Sequence, residues 1–159
     1  SNPPLRAFIM SKIEKVLATG KTHTTPSAAG NTSRGHNGNL DIVLSSPGSA
    51  KPAHQFSNIL PHPTAEQLFA GAWSACYSAA VGLVAKELDV TLPADTAVDI
   101  EVDLGQTGQA YFIQGRLTLR VPGLSNEIAT KLAHGAHEIC PYSKATRGNI
   151  DVALNVITE

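Results

Sequence analysis

The stretch 63-PTAEQLFAGAWSACYSAAVGLVAKELD-89 decides how this chain folds. Thr64 stands where a helix cap belongs, and Gln67 occupies the capping-box position three residues on, so a helix is predicted from there to about Asp89. Phe69, Trp73, Cys76, Ala80 and Val84 recur at helical spacing and share one face. The remaining faces carry mostly Ala, Gly and Ser, which invite close approach by other backbones and predict a central position. Residues 68–85 hold no charge over 18 residues, the length of a membrane span. Ten of the 18 are Ala, Gly or Ser and no basic anchors flank them, so a buried helix is expected and no membrane partner.

Alternation at period two marks 97-AVDIEVDLGQ-106 and 110-AYFIQGRLTLRV-121 as strands, and the short 106-QTGQ-109 joins them as an antiparallel hairpin. Residues 122–139 read as a helix capped near Ser125, with Leu124, Ile128, Leu132 and Ile139 on or near its apolar side. Pro141 ends it and suits the first position of a short following helix. The segment 150-IDVALNVI-157 alternates as a last strand. Upstream, residues 11–25 are β-compatible, 26–39 form a loop or hairpin tip, 40-LDIVLS-45 is a strand, and 46–63 is a long surface loop. The order predicts an α+β fold with mostly antiparallel sheet. Residues 1–11 are expected to be an arm or a cloning remnant, and 12–159 a single domain.

The chain has 159 residues, 42% of them hydrophobic, and a formal net charge of −1. With no basic stripe to displace counterions, nucleic acid is not expected as a partner. Two cysteines and no export signal predict thiols in a reducing, cytoplasmic compartment, where a disulfide would be transient and catalytic. Six histidines form no metal-ligand pattern; His134 and His137 read as solvated helix residues, and no metal or cofactor is expected. Arg147 sits in a segment with the composition of a turn and reads as structural.

Chemistry rests on Cys76 and Cys140. A lone cysteine on a helix is most often a small buried hydrophobe, and a cysteine at a helix end most often packs there. Glu66, ten residues before Cys76, lies about 80° away around the same helix. A carboxylate helps a thiolate only by holding a cation, and Arg34 of the glycine-rich loop is the candidate. Lowering a thiol pKa by about two units makes the thiolate the majority form near neutrality. Cys140 precedes Pro141, where free N–H groups would favour thiolate during exchange and suit a resolving thiol.

Two blocks resemble a known family. The segment 63-PTAEQLFAGAWSACYSAAV-81 is similar to the PEQLFAAGYSACF signature of the organic hydroperoxide resistance proteins, a branch of the OsmC-like superfamily. The segment 140-CPYSKATRGNIDVALNV-156 is similar to the same branch's CPYSNATRGNIDV block, and the separation of the cysteines (140 − 76 = 64) also fits. The resemblance implies an OsmC-like fold and an intertwined homodimer with sites at the interface. It implies a thiol peroxidase that converts organic hydroperoxides to alcohols, reduced by a lipoylated protein or another dithiol. Cys76 would be the peroxidatic cysteine, Cys140 the resolving one, and Glu66 the partner of a catalytic arginine. The family's arginine follows the first strand in a GGRDG-like loop, whereas this chain reads 25-TPSAAGNTSRGHNG-38. A gapless register leaves Ala28 or Ala29 at that place; a shorter hairpin brings in Arg34, the sole arginine of the stretch. Phe69, together with Phe56 and Leu60 of the long loop, is expected to line an apolar substrate pocket. The alternative is a non-enzymatic redox sensor or a carrier of a small apolar ligand.

Overall fold

Helix α1 (Ala65–Glu87) begins at a reciprocal cap: the Thr64 hydroxyl accepts from the Gln67 N–H at 3.1 Å, and the Gln67 side chain accepts from the Thr64 N–H at 2.9 Å. In the computed structural model, which describes residues 12–24 and 64–159, this helix lies against a sheet of four strands. Strand β1 spans Lys15–Thr24, β2 Ala97–Thr107, β3 Ala110–Arg120 and β4 Val152–Ile157, and they lie side by side in that order. The β1–β2 and β2–β3 pairs are antiparallel, the latter closed by Gly108 and Gln109, whereas β4 runs parallel to β3. A parallel neighbour requires a crossover. Helices α2 (Asn126–Ile139) and α3 (Pro141–Thr146) provide it.

The predicted α+β class and the mostly antiparallel sheet are present, and every element expected after residue 64 lies within about two residues of its expected bounds. The expected strand 40–45, the loop tip 26–39 and the long loop 46–63 fall outside the described residues.

Alternation places Val98, Ile100, Val102, Leu117 and Leu119 on the inner face, each at most 1% exposed. Register seats Ile100 across from Leu117 and Val98 across from Leu119. Against them α1 buries Ala70, Trp73, Tyr77, Ala80, Val81, Val84 and Ala85. Helix α2 adds Ala129, Leu132, Ala133 and Ala136. Leu132 is core as expected; Ile139 is 40% exposed because it ends the last turn, where the chain bends away at Cys140. The buried stripe of α1 is centred on Tyr77, so Phe69 and Cys76, expected on the core face, stand at its margin. By length and composition α1 is apolar enough to cross a membrane, a property shared with core helices, and here it packs on the sheet's inner face.

The outer face is ionic. Arg116 reaches Glu101 at 2.8 Å and Asp103 at 2.7 Å, Lys21 approaches Glu101 at 3.7 Å, and Asp99 bonds both His23 and Arg120. Asp103 also accepts from Thr19 and Gln114. These groups are cross-strand neighbours, so the alternation that seats the inner core also aligns the charges.

One close approach fixes α1 against β1. A Cβ on Gly20 would lie 2.4 Å from the Gln67 backbone nitrogen and 2.7 Å from the Glu66 Cβ. Only glycine lets the strand pass the helix's first turn at that distance.

Candidate active site

Cys76 lies midway along α1, half-buried at the edge of the core stripe. Cys140 is both the C-cap of α2 and the N-cap of α3. Its backbone is tied in both directions, the N–H to the Ala136 carbonyl and the carbonyl to the Lys144 N–H, each at 2.9 Å. Pro141 occupies the first helical position, as the sequence predicts, and stops α2 from continuing. The consequence is a wholly buried thiol pointed at α1: Cys140 Sγ donates to Cys76 Sγ across 3.1 Å. Both cysteines are free thiols.

Burial pushes the Cys76 thiol up, and the Cys140 thiol beside it adds to that; the backbone N–H of Tyr142 pulls the other way. An N–H of the first turn of α3 thus acts on Cys76. The first turn of α3 faces α1, as the bond from Trp73 to Ser143 also shows.

Glu66 is only 8% exposed, and its Oε2 is buried with no hydrogen-bond partner among the described residues. A lone buried carboxylate oxygen is costly, so this atom marks a place for a donor. Within one chain Glu66 does not sit beside Cys76, because ten residues of helix span about 15 Å. Arg34, the expected cation, lies outside the described residues, as do Phe56 and Leu60. Phe69 is placed: it is 38% exposed, two turns before Cys76, with its ring edge-on to Trp73 at 5.8 Å.

Two features escaped the sequence reading. Trp73 Nε1 donates to Ser143 Oγ at 3.0 Å, joining α1 to α3. His137, expected in solvent, has a buried Nδ1 without a partner among the described residues, and burial, then Arg147, then His134 lower its pKa. Arg147 donates to the His137 carbonyl, in keeping with its structural reading. Periodicity reveals which face is buried; it carries no signal for a bond between residues 70 apart.

Residues 57–155 match the family of OsmC-like proteins. Over 147 residues the chain is 35% identical to the organic hydroperoxide resistance protein of Xanthomonas axonopodis pv. citri (strain 306), a match covering 92% of this chain and 99% of that one. It is 34% identical to the organic hydroperoxide resistance protein OhrB of Bacillus subtilis (strain 168), covering 75% of this chain and 83% of the other. Among solved structures, that of OhrB from Bacillus subtilis superposes with a TM-score of 0.63 at 30% identity, covering 88% of this chain and 98% of the other. An organic hydroperoxide resistance protein from Elizabethkingia anophelis gives 0.62 at 29% identity, covering 92% and 100%.

Proposed function

Because this chain belongs to the organic hydroperoxide resistance branch of the OsmC-like family, we propose that it is a cysteine-based peroxidase acting on organic hydroperoxides. The observation that carries this reading is the 3.1 Å approach of Cys76 and Cys140 across 64 residues of chain. Two free thiols held that close need only a small closure to form a bond of about 2.05 Å.

The Cys76 thiolate attacks the distal oxygen of R–O–O–H. The O–O bond breaks, the alkoxide leaves and takes a proton as the alcohol, and Cys76 becomes a sulfenic acid. The Cys140 thiol then condenses with it; the disulfide forms and water departs. An external dithiol, a lipoylated protein or another of that class, reopens the disulfide by exchange and is itself oxidised. Sulfur carries every electron, so no cofactor is invoked.

Arg34 supplies the missing cation, stabilising the thiolate and polarising the peroxide, and Glu66 orients it through the orphaned oxygen. The 15 Å along α1 makes this pair better placed for a neighbouring copy, so the working unit is an intertwined homodimer in which Glu66 and Arg34 of one copy serve Cys76 of the other. Phe69, with Phe56 and Leu60, gives the mouth of the site an apolar wall that favours bulky alkyl hydroperoxides. The cytoplasm is the compartment that keeps both thiols reduced between turnovers.

Stopped-flow consumption of tert-butyl hydroperoxide with a dithiol reductant tests the reading. Cys76→Ser should abolish turnover. Cys140→Ser should permit one oxidation per chain and then stall. Continued catalytic consumption by Cys76→Ser would overturn the assignment.

A further inference from the structure

Cys140 must hold its place on a connection between two helices, and α3 has six residues, too few to be stable alone. What presses it against α1 is specific. Ser143, one turn after Cys140, accepts the indole N–H of Trp73, one turn before Cys76. Both residues are 0% exposed, so neither group has water as an alternative partner. The indole is itself wedged: a Cβ on Gly115 of β3 would lie 3.0 Å from its ring, and Phe69 stands against it edge-on. On the other side, the Ser143 carbonyl accepts from the Arg147 N–H at 3.0 Å and from the Thr146 hydroxyl at 3.0 Å, which binds Ser143 into the rest of α3.

We propose that Trp73 and Ser143 are positioning residues for the closing of the Cys76–Cys140 disulfide, their bond acting as a latch that keeps the second sulfur within reach of the first. This rests on the peroxidase reading only for its place in the cycle. Cys76 rides on α1 and keeps its position without the latch, so the attack on hydroperoxide is spared. Condensation needs Cys140 within a fraction of an ångström of its line of approach, and misplacement by about 1 Å costs up to about a hundredfold in rate.

The test uses the full chain with Ser143→Ala, Trp73→Phe and the double variant. First, each protein is equilibrated with dithiothreitol in its reduced and oxidised forms. The protein's two thiols pass two electrons and two protons to the cyclic disulfide, giving the protein disulfide and reduced dithiothreitol. The expected result is an equilibrium constant for disulfide formation about tenfold lower in either single variant, which is about 30 mV for a two-electron couple. The double variant should be no worse than the worse single variant, because both changes remove one bond. Second, one equivalent of tert-butyl hydroperoxide is added and the products are read by mass spectrometry. Oxidation of Cys76 should proceed at the wild-type rate while the disulfide forms about tenfold to a hundredfold more slowly, so the sulfenic acid persists, and a second equivalent of peroxide carries it on to sulfinic acid.

Wild-type equilibrium constants in both single variants, or effects that add in the double variant, would overturn the latch. Should Ser143→Ala fail to fold, Trp73→Phe carries the test alone. The dithiothreitol equilibrium involves no hydroperoxide. A wild-type chain that ignores hydroperoxide therefore removes the peroxidase reading, while the latch is decided by the equilibrium.

Discussion

A half-buried thiol 3.1 Å from a second, wholly buried one is a poor acid, since both the burial and the neighbour disfavour its charge. Among the described groups only the Tyr142 N–H opposes them. If Arg34 is the cation that reverses the balance, its removal should expose the raised value. Alkylation of Cys76 by iodoacetamide, followed against pH in Arg34→Ala, should then have its midpoint above the ordinary thiol value of about 8.5, with the wild-type midpoint below it. The sign follows from the acid: a raised pKa leaves less thiolate at neutral pH, so the rate climbs only at higher pH. Coinciding profiles would show that Arg34 is not the cation. Glu66→Gln should keep the fold and slow oxidation of Cys76 about tenfold or more, read by single-turnover stopped flow, because a neutral amide orients a guanidinium poorly. Both cysteines were legible from the sequence, since each lies in a long motif and their separation is fixed by counting. The Trp73–Ser143 bond was not, because each residue has a sufficient local explanation: indole in a core stripe, serine in the first turn of a helix.

At the level of elements, α1 was the easiest to read because its start is set by residues three apart. The Thr64–Gln67 cap is a local bond, so sequence proximity suffices to find it. Thr64→Ala should cost about 1 kcal/mol, measured as a shift in the urea midpoint at unchanged slope. The packing of β1 on that first turn joins residues more than forty positions apart, and no periodicity reports it. Gly20→Ala has to displace backbone rather than a flexible side-chain end. It should cost about 1–3 kcal/mol in the same assay and slow hydroperoxide consumption through the displaced Glu66. Gly20→Ala with unchanged stability would mean that the strand and helix have more room than their separation indicates. The parallel direction of β4 was equally hidden: alternation identifies a strand but not its direction, which the length of the α2–α3 crossover sets.

On the scale of the whole molecule, the sheet's outer face sets the response to acid. The Arg116 hydrogen bonds hold the Asp103 carboxyl well below the usual carboxylate range against the opposing effect of burial, with Gln114 and Thr19 adding to it. For Asp99, burial pushes up and is outweighed by the bonds from Arg120 and His23. A depressed carboxylate contributes stability that is present above its unfolded pKa of about 3.9 and lost as pH falls toward the folded value. Chemical denaturation from pH 7 to pH 2 should therefore show stability falling below about pH 5, with a shallower fall in Asp103→Asn, which should also be less stable at pH 7. An identical acid profile in that variant would remove Asp103 from the account. This ladder was half legible: the alternation located the charged positions, but the partner of each depends on strand register, which the sequence does not display.

The crossover has a consequence during synthesis. Cys140 lies on the connection that leads into β4, and the far end of that connection is fixed only when Val152–Ile157 aligns beside Gly115–Arg120. A polypeptide still emerging from the ribosome carries its first sulfur well before the strand that closes the crossover bearing the second has been made. On the proposed peroxidase reading, a chain in that interval reacts once at Cys76 and is open to irreversible damage, and it becomes renewable when the later strand arrives.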